Sequence, residues 1–198
     1  MEKILQWEAL MDLLTVLHSY RPWNPQEERD TAELLHRLES GEDLFHRENT
    51  AAHLTASAWV VSPDRARVLM AYHNLYDSWA WLGGHADGER DLLAVALREV
   101  REESGVAARA VSDEIFSLEI LPVSGHEKRG EYVSSHLHMN VTFLLEADPS
   151  APVRSKPDEN SRVAWFPLEE AVAASSEPWM RERIYRKLNE KLRKNFNF

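Results

Sequence analysis

Gly83 to Val106, GGHADGERDLLAVALREVREESGV, is the stretch whose reading decides the fold. Its second half, Arg98-Glu99-Val100-Arg101-Glu102-Glu103-Ser104-Gly105-Val106, puts three carboxylates within five residues. On a helix, Glu99, Glu102 and Glu103 stand at i, i+3 and i+4 and project from one face. Three like charges on one face repel, and an external cation is needed to offset them. Hard divalent cations with oxygen ligands, Mg²⁺ above all, suit that donor set. Gly105 falls where a left-handed residue would stop the helix. A glycine-led loop, a carboxylate-bearing helix and a glycine stop read together as a metal site. The rival reading, a solvated helix with an acidic face, accounts for the charges. It leaves Gly84, the Arg98-Glu99 pair and Gly105 at their fixed offsets unexplained.

Working outward, the 198 residues suffice for one well-buried domain plus an elaboration. Composition is globular, with 43% hydrophobic and 28% charged residues and no low-complexity tract. The absence of cysteine excludes disulfide frameworks, thiolate zinc sites and cysteine nucleophiles. Met1-Glu2-Lys3 leads into an amphipathic segment with no signal-peptide pattern, and no apolar run is long enough to span a bilayer. The expectation is a soluble cytoplasmic protein without a membrane partner. A formal net charge of −10 argues against nonspecific nucleic-acid binding. It also makes anionic phosphates an unfavourable substrate unless metal ions reverse the local field.

Residues 1–48 read as a helical N-terminal extension and 49–198 as the main domain. Leu10, Leu13, Leu14 and Leu17 form one apolar stripe, which Tyr20-Arg21-Pro22 breaks. Asn24, Pro25 and Glu27 start a second helix that carries Leu34, Leu35 and Leu38 to Gly41. The extension reads as a packing appendage, with a lid or a homodimer contact as the functional alternative. From Leu54 the period changes to that of strands: 54–60, a turn at Ser62-Pro63-Asp64, 67–72, 79–82, 115–123 and 137–145. In the central helix, Leu93, Ala96, Leu97 and Val100 supply the buried side opposite the carboxylates.

Ser124 to Ser134 reads as a polar loop, with Lys128 and Arg129 within reach of a phosphate. The strand 137–145 has one apolar face and another presenting His136, His138, Asn140 and Thr142. The two histidines suit hydrogen bonds to a substrate phosphate or a carboxylate. They could also ligate a transition metal, but no third nitrogen ligand has an evident place. Tryptophans 79 and 81 either stack on a base or plug the core. At the C-terminus, Met180, Ile184, Leu188 and Leu192 make a stripe on a cation-rich helix whose charges read as a solvated face.

The central stretch resembles the Nudix hydrolase family, whose box runs Gly, five residues, Glu, seven residues, then Arg-Glu-aliphatic-x-Glu-Glu-x-Gly-aliphatic. Arg98, Glu99, Val100, Glu102, Glu103, Gly105 and Val106 match it, and Gly84 takes the first glycine. Arg90 stands where the family has glutamate, with Glu89 beside it as a substitute after a small loop shift. The wider stretch HLTASAWVV…WAWLGGHADG…DLLAVALREVREESG is similar to a bacterial subgroup of unassigned substrate.

The resemblance implies an α/β fold, an α/β/α sandwich around a central mixed sheet. It implies Mg²⁺ or Mn²⁺ held by Glu99, Glu102, Glu103 and the Gly84 carbonyl, with Arg98 orienting the carboxylates. The expected reaction is hydrolysis of a phosphoanhydride in a nucleoside diphosphate linked to another moiety, such as a nucleotide sugar or ADP-ribose. Glu102, Glu99 or Glu159 of the later acidic loop accepts the water's proton; His136, His138 and Arg129 are the substrate-binding candidates by their own residue types. A catalytically silent nucleotide-binding module is the alternative, supported by Arg90. An isoprenoid-type isomerase on the same fold loses its catalytic cysteine here.

Overall fold

A computed structural model describes residues 12–128 and 130–196, which fall into two compact units. The first joins the residues up to Ala56, Gly84–Val95 and Ile115–Thr142; the second joins Ser57–Gly83, Ala96–Glu114 and the residues from Phe143 onward.

In the first unit, residues 12–19 are helical (α1), and Leu17 is its buried apolar anchor. Leu10 lies outside the described residues. Asn24 adopts an extended conformation, and its side chain accepts the Glu27 N–H at 2.9 Å, so α2 (Pro25–Glu39) starts where its cap dictates. Leu34 and Leu38 are buried, and so is Glu27. The Glu27 carboxylate accepts from the Tyr20 hydroxyl, the Trp23 N–H and the Ser117 hydroxyl, each at 2.7 Å. Asp30 accepts the Ile120 N–H at 2.9 Å, which fixes α2 to the strand Ser117–Val123. A buried charge is tolerable only when its lone pairs are filled in this way.

The eight-stranded sheet runs β10-β2-β1-β9-β5, with β3 on β2, β4 on β1 and β6 on β9. The strands are β1 (Ala52–Val61), β2 (Arg67–His73), β3 (Ser78–Ala80), β4 (Leu82–His85), β5 (Arg109–Ala110), β6 (Ser117–Val123), β9 (His136–Glu146) and β10 (Asn160–Pro167). Ala51 accepts the Leu137 N–H, and Val61 accepts the Ala147 N–H. The spacing is the same at both ends, so β1 and β9 run parallel. The β1–β2, β2–β10 and β6–β9 pairs are antiparallel. The sheet is therefore mixed, as expected.

Alternation in β1 and β9 does not mark a wet face. Every residue of β1 is buried. In the first unit, the Thr55 hydroxyl donates to Asn140 at 3.0 Å, and Asn140 and Thr142 both donate to the buried Glu119. The polar side of β9 is a satisfied interior network. Ser124–Ser134 holds a hairpin and not a plain loop: β7 (His126–Lys128) pairs with β8 (Glu131–Val133) around Gly130 at φ +83°. Its strands are short and polar, so alternation gives no warning of it. Arg129 lies outside the described residues.

In the second unit, β10 lies along β2 with Trp165 opposite Leu69, and α4 (Leu168–Ala174) follows directly. The C-terminal helix opens at residue 178, widens to a π-turn at Met180–Tyr185 and continues as α5 (Arg186–Phe196). The extra residue in that turn lets Ile184 and Tyr185 both face inward. Tyr185 stacks on Trp59 with centroids 5.4 Å apart. Lys187 and Lys191 are buried, so the cationic stripe is not wholly solvated. Their aliphatic stems cover apolar surface. Among the described residues, no helix is long and apolar enough to cross a membrane.

Candidate active site

The central helix, α3, spans Leu92–Ser104. Asp91 caps it by accepting the Ala94 N–H at 2.9 Å, and Gly105 ends it at φ +75°. Its buried side is Leu92, Val95, Ala96 and Val100, with Leu93 and Leu97 only half-buried. This phase differs from the expected one because LLAVAL is apolar at every position and cannot fix its own rotation. The consequence falls on the carboxylates. Glu103 sits one turn beyond Val100 on the inward side and is 5% exposed. The Glu99 side chain is 13% exposed and that of Glu102 47%, so the acidic face grades from interior to solvent.

Glu103 Oε2 accepts the Gly83 N–H at 3.0 Å, tying the glycine pair that ends the β3–β4 segment to the helix. Burial, reinforced by the charges of Glu99 and Glu159, pushes the Glu103 carboxyl up to about 8 against the pull of that hydrogen bond. Burial also raises Glu99, although Arg98 opposes it. Arg98 Nη2 lies 3.0 Å from Glu99 Oε1, and its Nε is 4.0 Å from Glu102 Oε1. Gly84 follows Gly83 in β4.

Two residues missed in the sequence complete the cluster. Lys156 Nζ lies 3.4 Å from Glu102 and 3.0 Å from Glu159, bridging the helix and the acidic loop. Burial pulls Lys156 down, but the two carboxylates outweigh it and hold it above its usual range. Asn160, fully buried, donates to the Glu103 carbonyl at 3.0 Å and accepts the Lys156 N–H at 3.1 Å. The Arg154 N–H donates to the Ser104 carbonyl at 2.8 Å. The Asn160–Glu103 and Arg154–Ser104 bonds pin the loop to the end of α3, which is how Glu159 reaches the box carboxylates. The unit therefore gathers Glu99, Glu102, Glu103 and Glu159 with Arg98 and Lys156 as counter-charges. Clustered hard oxygen donors are the donor set that a divalent cation such as Mg²⁺ satisfies.

In the first unit the Glu89 carboxylate accepts the Arg90 and Asp91 N–H groups at 2.8 and 3.0 Å, at the start of the box helix. Arg90 stacks its guanidinium 4.0 Å over the Phe45 ring. In the second unit Trp81 packs edge-on against Tyr185, and Trp79 against Tyr72 and Phe166. Arg162 lies over both Tyr72 and Trp79. Both tryptophans thus have packing roles.

His136 and His138, in the first unit, lie among other imidazoles. Their Nε2 atoms are 3.1 Å apart, and the rings of His53 and His85 lie beside them. Burial, then the neighbouring imidazoles, hold His138 down at about 2, so its ring is neutral.

Solved structures with the same fold include a C. elegans Ap4A hydrolase binary complex, at 19% identity and TM-score 0.51 over 73% of this chain and 97% of that one. A Nudix-family hydrolase from Clostridium perfringens matches at 20% identity and TM-score 0.50, over 72% and 97%. The E. coli dihydroneopterin triphosphate pyrophosphohydrolase matches at 16% identity and TM-score 0.50, over 68% and 92%. At these identities the likeness is one of fold. No curated protein matches the chain in sequence. The NUDIX domain model matches residues 51–188, so the chain belongs to the Nudix family and carries its pyrophosphohydrolase domain.

Proposed function

We propose that this protein hydrolyses the phosphoanhydride of a nucleoside diphosphate linked to a second moiety, such as a nucleotide sugar, ADP-ribose or a related compound, with Mg²⁺ or Mn²⁺ held by Glu99, Glu102 and Glu103. The observation that carries the reading is Glu103. A buried carboxylate pushed up to about 8 beside Glu99 and Glu159 is a poor design unless a cation compensates it. Such a cation, when bound, neutralises bridging phosphates and lowers the pKa of an attacking water.

The chain's own residues do the rest. Arg98 orients Glu99 and Glu102 from outside the donor set, a positioning role. Glu159 and Glu102, both in contact with Lys156, are the groups in reach to take the water's proton, with Glu99 the more sheltered alternative. Lys156 is the counter-charge that bridges these two carboxylates. His136, His138 and Arg129 are assigned to the substrate by residue type, two imidazoles on one strand face and a cation in a polar segment.

A catalytically silent nucleotide-binding module is the second reading, favoured by Arg90 at the motif's glutamate position. Phosphate release, coupled to a phosphatase, is measured over nucleotide sugars, ADP-ribose, dinucleoside polyphosphates and nucleoside triphosphates. Turnover with Mg²⁺ or Mn²⁺ on one class establishes the hydrolase and names that class. Nucleotide binding without turnover on any compound supports the silent module.

A further inference from the structure

We infer that His53, His136 and His138 form a binding site for one divalent transition metal of the zinc type, built from nitrogen donors distinct from the carboxylates of α3. The parallel pairing of β1 with β9 brings the three together, since His53 opens one strand and His136 and His138 share a face of the other. One ring nitrogen from each lies within 4.8 Å of the other two. Ring centroids are 4.8 Å (His53–His136), 5.1 Å (His53–His138) and 5.0 Å (His136–His138) apart.

Backbone carbonyls set the tautomers. His53 Nδ1 is 3.0 Å from the Asn49 oxygen, and His136 Nδ1 is 2.8 Å from the Ser134 oxygen. A carbonyl only accepts, so both Nδ1 atoms carry the proton and both Nε2 atoms present lone pairs. Metal-ligating histidines are held in this way, with the second ring nitrogen donating to a carbonyl. His53 Nε2 is buried, in a residue 5% exposed, and has no hydrogen-bond partner among the described residues. A metal bond gives this orphaned buried acceptor the partner it lacks. His136 Nε2 and His138 Nε2 are 3.1 Å apart, near the ~3.3 Å edge of a tetrahedron with Zn–N bonds of about 2.0–2.1 Å.

Imidazole donors select zinc, nickel, copper or iron over Mg²⁺, which demands oxygen. Three protein nitrogens leave a fourth position, as in sites that keep a water. The ring of His85 lies 5.0 Å from that of His53 and 4.9 Å from that of His138. The competing explanation is a hydrogen-bonded histidine stack that binds nothing.

The test uses the full chain, stripped with a chelator and held in excess Mg²⁺ so that oxygen sites are filled. Zn²⁺ and Co²⁺ are then titrated in alone. One equivalent of Zn²⁺ is expected, with Co²⁺ giving the visible absorption of low-coordinate nitrogen ligation. His53→Gln and His136→Gln should each weaken Zn²⁺ binding at least about a hundredfold, and Glu103→Gln should leave it unchanged. Should the histidine variants fail to fold, X-ray absorption at the zinc edge of the wild type reads imidazole scattering directly. Absence of stoichiometric uptake, uptake unchanged in both folded histidine variants, uptake lost in Glu103→Gln, or a zinc shell without imidazoles would each overturn the site. The result stands apart from the phosphatase-coupled assay, so failure of either does not mimic failure of the other.

Discussion

Replacing Asn160 with alanine should unfasten the acidic loop from the box helix. Asn160 is fully buried and makes two main-chain hydrogen bonds, to the Glu103 carbonyl at 3.0 Å and from the Lys156 N–H at 3.1 Å. Truncation orphans a buried carbonyl, at about 1–3 kcal/mol, and loses a second bond worth about 0.5–1.5 kcal/mol. The expected loss is about 3 kcal/mol. Urea unfolding followed by tryptophan fluorescence reads it, because Trp59 is fully buried. With a slope of about 3 kcal/mol/M, the midpoint should fall by about 1 M. Asn160→Asp is the control: it fills the same volume and keeps the acceptor for Lys156, but sets an oxygen against the Glu103 carbonyl. It should therefore lose about as much as alanine. A midpoint shift under about 0.2 M in the alanine variant, with the slope unchanged, would refute the clamp. An aspartate variant as stable as the wild type would show that only volume matters there.

Metal-free stability should also respond to pH. Glu103 is raised in the fold from 4.5 to about 8, so the folded state holds a proton that the unfolded chain has lost. That contribution is complete below pH 4.5 and vanishes as pH rises through about 8. The Tm in chelator should accordingly fall across this window, and saturating Mg²⁺ should flatten the fall; a flat chelator profile would remove the buried-acid argument. Lys156→Met removes a cation lodged between Glu102 and Glu159, so Mn²⁺ affinity, read by calorimetry, should rise several-fold; weaker binding would contradict the counter-charge role. Gly105→Ala forces a side chain into a φ of +75° and sets its Cβ 2.7 Å from Arg154 Cγ. A loss of about 1–2 kcal/mol is expected in urea unfolding, and none would mean the turn relaxes freely.

Much of this was legible in the chain. The box helix, its Gly105 stop, the Asn24 cap and the long β9 strand all carry local signatures that decide them. The rotation of α3 does not, because the unbroken apolar run from Leu92 to Leu97 satisfies either phase. Only packing shows that Glu103 faces inward. Lys156 and Asn160 lie in a loop with no period, and their importance comes from reaching back to residues over 50 positions earlier. The third imidazole was hidden for the same reason. His53 precedes a run that reads simply as strand, and its meeting with His136 and His138 depends on the parallel pairing of β1 with β9. Local patterning gives the elements; it does not give which ends of them meet.

The central claim is that the α3 carboxylates support metal-dependent phosphoanhydride hydrolysis. Its most direct test compares the wild type with Glu103→Gln on the best substrate of the panel, in H₂¹⁸O, with and without Mg²⁺. The expected result is ¹⁸O in one phosphorylated product, dependence on the metal, and a fall in kcat of at least about a hundredfold in the folded variant. Turnover that survives both metal removal and Glu103→Gln would contradict it.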